Sequence, residues 1–136
     1  MNLLKSMMIA ASGMAAEATR MRVIAENLAN ANSTAESPSA DPYRRKVPVF
    51  KSEFDRALNA SMVEVEKTVT DKSAFGKRFE PGHPAADKDG YVKTPNVNGI
   101  VEVMDMRDAQ RSYEASLSVI GAARGMMART IALLRS

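Results

Sequence analysis

The apolar spacing at the two ends of this chain constrains its fold more than any other feature. From Leu4 to Leu28 an apolar or small residue recurs in alternating steps of three and four, and a second such track runs from Met106 to Leu134. This spacing places side chains on one stripe of an α-helix. All six prolines lie between the two segments, where they interrupt helical structure. The sequence therefore predicts two long terminal helices joined by a non-helical middle.

The fold class that follows is mainly α, with an irregular middle that contains short β structure. Residues 1–30 form the predicted N-terminal helix, capped by Asn2. Residues 31–100 form a loop and a turn-rich segment. Within that segment we expect an extended piece at residues 47–50, one or two helical turns at 54–58 and a strand at 63–69. Residues 101–136 form the predicted C-terminal helix, with acidic residues early and arginines late, as the helix dipole favours.

The helices carry more apolar surface than a two-helix protein can cover. The second helix carries another small or apolar track beside the main one: Ala109, Val119, Ala123, Met126 and Leu133. One stripe would then remain in water, so we expect a coiled-coil-like bundle in which several chains cover each other. The predicted assembly interface comprises Met7, Ala11, Met14, Ala18, Met21, Ala25, Leu28, Tyr113, Leu117, Ile120, Met127, Ile131 and Leu134.

Composition and motifs argue against several other classes of protein. The 19 basic and 16 acidic residues are interspersed, which disfavours a nucleic-acid partner. The chain has no cysteine, which excludes disulfides and thiolate metal sites. No segment reaches the ~18–20 apolar residues of a typical membrane span. Phosphate-loop, nucleophile-elbow and zinc-protease motifs are absent from the sequence. We therefore expect no catalytic residues, cofactor, metal or small-molecule substrate.

Two alternatives stay open at this point. The apolar residues after Lys5, with Ala16 and Ala18 as a cleavage site, imitate a signal peptide and would give a secreted helical interaction protein. Against that alternative, the helical spacing runs through the supposed cleavage point.

A small enzyme with a divalent-metal site at His83, Asp87 and Asp89 is the second alternative. Here the loop around Asp87 lacks the acidic last ligand of a calcium loop, and a turn is the simpler interpretation.

Three stretches of the chain resemble bacterial flagellar rod and hook proteins. The first runs from Glu26 to Thr34 and closes the N-terminal helix, and an aromatic and basic stretch from Tyr43 to Lys46 follows it. The second runs from Phe79 to Asn98 and is typical of one short, proximal rod member, as is the third, from Arg111 to Ala115. The residues that match the family motif are Asn27, Leu28, Ala29, Asn30, Thr34, Tyr43, Pro81, Pro84, Asp87, Gly90, Tyr91, Val92, Pro95, Asn96 and Val97.

This resemblance implies a structural subunit of the flagellar basal-body rod. Such a subunit would be exported through the flagellar type III apparatus without signal cleavage. It would polymerise through its terminal helices with copies of itself and with other rod proteins, and would transmit motor torque across the periplasm. The resemblance further implies that the terminal helices order only on assembly. One departure is that Asp41 and Pro42 precede Tyr43, where the family has a glycine.

Overall fold

The computed structural model describes residues 2–136, so that Met1, the first residue of the predicted N-terminal helix, lies outside the described residues. Two long helices flank four strands within this range. The elements are α1 (Leu3–Ala29), β1 (Lys46–Asp55), β2 (Ala60–Thr70), β3 (Gly76–Phe79), β4 (Tyr91–Thr94) and α2 (Gly99–Arg135). The prediction of two long terminal helices is confirmed.

Asparagine side chains set the helix boundaries. The Asn2 carboxamide oxygen accepts a hydrogen bond of 3.0 Å from the Lys5 amide, as the sequence predicts. At the other end of α1, Asn30 donates a hydrogen bond of 2.9 Å to the Glu26 carbonyl. The start of α2 lies two residues before the predicted one because Asn98 is its N-cap and accepts from the amides of Ile100 and Val101.

The two helices pack antiparallel. Asn27 of α1 donates to Glu102 of α2, while a Cβ on Gly13 would lie 3.3 Å from the Ser116 hydroxyl. Continuing this register places Leu3 opposite residue 126. Because α2 has 37 residues and α1 only 27, residues 127–135 of α2 extend beyond the start of α1. We refer to residues 127–135 as the overhang, which is ~13 Å long at 1.5 Å per residue.

The face that joins the helices differs from the predicted track. Half of the buried residues of the two helices are alanines: Ala10 and Ala16 in α1, and Ala109 and Ala123 in α2. Small side chains allow close backbone approach. The predicted α1 track of alternating methionine and alanine lies one or two positions away, at Ala11, Met14 and Ala18. None of the thirteen predicted interface residues is buried. Those that are half-buried are Met7, Met14, Met21, Leu28, Tyr113 and Ile120, and those that are exposed are Ala11, Ala18, Ala25, Leu117, Met127, Ile131 and Leu134.

The strands β1 and β2 form an antiparallel hairpin that lies along α1. The register runs from Lys46 opposite Thr70 to Asp55 opposite Ala60. The prediction of helical turns at 54–58 is wrong, because the Asp55 carboxylate accepts from the amides of two following residues and closes a turn. Asn59 completes this turn with a φ of +49°, a conformation that asparagine tolerates. The predicted strand at 63–69 is confirmed within β2.

A second, smaller antiparallel sheet pairs β3 with β4, from Gly76 opposite Thr94 to Phe79 opposite Tyr91. The turn-rich segment is therefore more regular than predicted. Its core is Val92, which is fully buried, with Pro95 and Ala85 also buried.

One helix, α2, is long and apolar enough to cross a membrane by length and composition alone. Its most apolar 18-residue window has a mean hydropathy of 1.4, and only 6% of that window is buried. The expectation that no segment resembles a membrane span is therefore not confirmed. The finding is weak evidence for a span, because a helix that packs against other helices can pass the same test.

Candidate assembly interface

Asn27 holds together the end of the molecule where α1 stops, β1 begins and α2 starts. Its side chain is 1% exposed and uses its full hydrogen-bonding capacity. The carboxamide oxygen accepts from the Tyr43 hydroxyl at 2.7 Å and from the Lys46 amide at 2.9 Å. The amide nitrogen donates to the Lys46 carbonyl at 2.8 Å and to Glu102 Oε2 at 3.2 Å. One side chain thus joins α1, the following loop, β1 and α2.

Glu102 and Arg45 extend this cluster through charge. Glu102 is 0% exposed, and its second carboxylate oxygen accepts from Arg45 Nε. Arg45 also lies within ion-pair distance of Asp105, at 3.4 Å, and Asp71, at 3.6 Å. Burial lowers the pKa of Arg45, but these three carboxylates outweigh that effect and raise it. The buried charge of Glu102 is therefore compensated by a permanent cation.

Asn96 attaches the small sheet to the same cluster. Its oxygen accepts from the Arg45 amide at 2.8 Å, and its nitrogen donates to the Asp71 carbonyl at 3.0 Å. We refer to Asn27, Tyr43, Arg45, Asn96 and Glu102 together as the clasp. Burial, and then the nearby carboxylates of Glu26 and Glu102, raise the pKa of Tyr43, which keeps its hydroxyl a hydrogen-bond donor.

Three motif residues, Asp87, Gly90 and Tyr91, shape the turn between β3 and β4. Asp87 accepts from the amides of Asp89 and Tyr91, both at 2.9 Å, and the hydrogen bond from Tyr91 lowers the pKa of Asp87. Gly90 has a φ of +86°. The Tyr91 ring packs edge-on against Phe79, with 5.3 Å between the ring centroids.

His83 links this turn to the loop after α1. Its Nδ1 accepts from the Ala85 amide at 2.9 Å, and its Nε2 lies 3.2 Å from the Thr34 hydroxyl. In the neutral ring this assigns the proton to Nε2. Across residues 2–136, no group of three or more His, Cys, Asp or Glu side chains is arranged to hold a metal ion. The alternative of a metal enzyme at His83, Asp87 and Asp89 therefore gains no support.

The remaining motif residues lie around these two centres. Leu28 lines a groove beside the start of α2, Ala29 ends α1, and Asn30 is its C-cap. Pro81 lies against Gly90, Val97 is half-buried, and Pro84 is exposed.

Sequence reasoning missed Glu102 and Arg45 as parts of the clasp. A spacing of seven links Glu102, Ala109, Ser116 and Ala123, and this regular track would have placed Glu102 on the packing face.

Within residues 2–136, an exposed apolar surface lies at each end of the helix pair. At the overhang, Met127 is 37%, Ile131 55%, Leu133 76% and Leu134 81% exposed. At the clasp end, a groove of about 630 Å³ is lined by Leu28, Asn98, Gly99, Ile100, Val103, Met104 and Arg107. Large exposed apolar side chains clustered in this way are typical of interaction surfaces.

Comparison with protein families places the two helices in known rod-protein regions. Residues 7–35, which cover most of α1 and the turn after it, match the family described as "Flagella basal body rod protein". Residues 88–133 match "Flagellar basal body rod FlgEFG protein C-terminal".

Relatives extend this similarity to nearly the whole chain. The chain is 48% identical to "Flagellar basal-body rod protein FlgC" of Agrobacterium fabrum over 128 residues, which cover 94% of this chain and 92% of that protein. It is 38% identical to the protein of that name from Salmonella typhimurium, with 98% of each chain covered. The corresponding Bacillus subtilis protein is 34% identical over 93% of this chain and 94% of its own length. The resemblance stated from the sequence is confirmed, and the chain belongs to the family of flagellar basal-body rod proteins FlgC.

Proposed function

We propose that this chain is a structural subunit of the proximal part of the bacterial flagellar rod. In this proposal it polymerises through α1 and α2 with copies of itself and with other rod proteins, and it has no catalytic role. The names of its relatives support a structural subunit located in the basal body. They give no support to the alternative of a secreted protein with a cleaved signal peptide.

The overhang is the observation that carries polymerisation. Its large apolar side chains are exposed, and α1, which begins at Leu3, does not run alongside them. Covering them with a neighbouring chain would contribute roughly 5 kcal/mol, since a fully buried Leu, Ile or Met contributes about 1.5–3 kcal/mol. That gain would offset part of the cost of ordering the segment. We therefore infer that residues 127–135, at the end of α2, become ordered on assembly. This applies to the overhang the expectation that the terminal helices order only when the rod forms.

Torque transmission requires a subunit that resists twisting. The small-residue face brings the helices close together, and a Cβ added to Gly13 would lie only 3.3 Å from the Ser116 hydroxyl. The clasp fixes the other end of the pair through hydrogen bonds from Asn27 to β1, to α2 and to the loop before β1, which are buried or partly buried. Neither helix contains a proline, and proline is a common cause of sharp kinks. This combination supports a stiff rod-like unit.

Export without signal cleavage is part of the proposal. The helix α1 runs unbroken through the imitation cleavage site at Ala16 and Ala18. Cleavage there would remove Gly13, which packs on α2, and Ser12, whose hydroxyl accepts from the Val63 amide of the hairpin at 3.2 Å. N-terminal sequencing of the chain from isolated basal bodies should give the uncleaved start.

The substitution Leu117→Asp tests the proposed function. Leu117 is 51% exposed, so the charge should change the free chain little while blocking packing in an assembly. In a strain that lacks the native protein, we expect the variant to be exported but to build no rods and to give non-motile cells. Leu117→Met, which retains the apolar contact, is the matched control and should restore motility. Motile cells with Leu117→Asp would refute the assignment of Leu117 to the assembly interface.

A further inference from the structure

His83 performs a task in its turn that asparagine or aspartate usually performs. In an Asx turn, the side-chain oxygen accepts a hydrogen bond from the backbone amide two residues further on. Here the acceptor is a ring nitrogen, because Nδ1 of His83 accepts from the Ala85 amide at 2.9 Å. An asparagine oxygen stays an acceptor at every ordinary pH, whereas histidine rings change their charge between about pH 5 and 8. A histidine at this position therefore makes the turn sensitive to pH.

The other nitrogen of the ring joins this turn to a different part of the chain. Nε2 of His83 lies 3.2 Å from the hydroxyl of Thr34, in the loop after α1. The same loop contacts the small sheet at a second point, where Lys93 of β4 lies 3.3 Å from Asp41. The neutral ring thus uses both of its nitrogens, one as an acceptor within the turn and the other as a donor to the loop.

Protonation of the ring removes the bond to Ala85. The charged ring carries a proton on Nδ1 as well, so that two donors, Nδ1–H and the Ala85 amide, would face each other. Ala85 is 5% exposed and belongs to the core of the small sheet, and a buried amide that loses its acceptor is costly. The ring must then turn away from the amide. Because both nitrogens belong to one rigid ring, its Nε2 moves away from Thr34 at the same time.

No charged neighbour compensates a protonated ring. The charged side chains on the elements around His83 are Glu36 and Asp41 in the loop after α1, and Lys77, Arg78, Glu80, Asp87, Lys88, Asp89 and Lys93 in the small sheet and its turn. Asp41 pairs with Lys93, and Glu80 pairs with Arg78 at 2.9 Å. The Asp87 carboxylate accepts from two backbone amides. Among residues 2–136, none of the ion pairs includes His83.

We propose that His83 is an acid-sensitive joint between the β3–β4 turn and the loop after α1. The neutral ring holds the Ala85 amide and the Thr34 hydroxyl, and the protonated ring releases both. Because the unfolded chain takes up this proton more readily than the folded turn, the contribution of His83 to stability is complete above the ordinary histidine range. It is lost as the pH falls through that range. This inference concerns the free chain and does not depend on the proposed rod function.

The chain has one histidine, so the ring signals in an NMR spectrum of the purified full-length protein belong to His83 alone. At about pH 8 we expect the nitrogen-15 shifts of a neutral ring with its proton on Nε2. Between about pH 7.5 and 5.5, the protection of the Ala85 amide against hydrogen exchange, relative to its intrinsic rate, should fall about tenfold. The Lys46 amide, which donates to Asn27 in the clasp at 2.9 Å, should keep its protection and is the internal control.

His83→Asn separates the charge from the hydrogen bond and is the matched control variant. Its oxygen can still accept from the Ala85 amide, as in an Asx turn, but the side chain does not titrate. We expect the protection of the Ala85 amide in this variant to be the same at both pH values. The Thr34 resonances should shift together with the ring signals in the native chain and should not change with pH in His83→Asn.

Three outcomes would overturn the proposal. A neutral ring with its proton on Nδ1 would contradict the hydrogen bond from the Ala85 amide. Equal protection of that amide at the two pH values in the native chain would show that protonation releases nothing. A loss of protection in His83→Asn as large as in the native chain would assign the effect to another titrating group. The first two outcomes come from the native chain, so they decide the proposal even if His83→Asn does not fold.

Discussion

Replacement of Asn27 by leucine should destabilise the clasp more than any single surface change. The carboxamide is 1% exposed and makes four hydrogen bonds, to Tyr43, to both backbone groups of Lys46 and to Glu102. Leucine fills a similar volume but can donate and accept nothing. The buried partner groups are then left without their hydrogen bonds, which costs more than the bonds themselves contribute.

The magnitude follows from the exposure of each partner. Tyr43 and Lys46 are half-buried, so that water replaces part of what they lose, at a cost of about 1 kcal/mol for each of three bonds. Glu102 is 0% exposed and charged, and the loss of its second partner costs about 1.5 kcal/mol more. The expected loss is about 4.5 kcal/mol of the free energy of unfolding, a large fraction of the 5–15 kcal/mol usual for a domain.

Urea denaturation followed by circular dichroism at the helix band measures this loss. Asn27→Ala removes the same bonds without adding volume, so a similar loss in both variants would assign the effect to the hydrogen bonds. Gln110→Leu, which removes an exposed amide from α2, should change stability by less than ~0.5 kcal/mol. If Asn27→Leu lowered the free energy of unfolding no more than Gln110→Leu does, the clasp would contribute nothing to the stability of the free chain, and the reasoning would be refuted.

Two further predictions concern the β3–β4 turn. Gly90→Ala should lower the free energy of unfolding by about 2 kcal/mol, because φ is +86° and a Cβ would lie 2.9 Å from the Phe79 ring. Gly82→Ala, where nothing lies within 4 Å of the added Cβ, should be nearly neutral, and urea denaturation of both variants measures the difference. The hydrogen bond from Tyr91 lowers the pKa of Asp87, so its contribution to stability is complete above the ordinary carboxyl pKa of about 4 and disappears as the pH falls through the lowered value. Urea midpoints should therefore drop less between pH 5 and pH 3 in Asp87→Asn than in the native chain, and an unchanged drop would contradict this role.

The two long helices could be predicted from the sequence. The three- and four-residue spacing of apolar residues in each terminal segment was sufficient to predict them, because hydrogen bonding within a helix and the period of its side chains do not depend on the rest of the chain. The Asn2 cap was predicted for the same reason. Asn98 was missed because the helical pattern was predicted to begin at Val101, two residues after the observed start at Gly99.

The strands were harder to predict because their pairing joins distant residues. Val63 to Val69 alternated clearly enough to predict β2, but β1 contains Pro48 and a register irregularity between Val49 and Phe50 that hide its period. Its length follows from pairing with β2 along ten positions.

The sequence by itself determined that this chain has two long helices with apolar stripes, an N-terminal helix capped by asparagine, and the motif residues of a flagellar rod protein. It could not decide which stripe of each helix faces inward, because alanine and methionine recur on several stripes with similar hydrophobicity. Tertiary structure decided this through contacts between residues far apart in sequence: Gly13 against Ser116, and Asn27 with Glu102. The same antiparallel register leaves residues 127–135 without a partner in α1, because α2 is longer than α1. Which end of α2 stays uncovered is visible only once the two helices are paired.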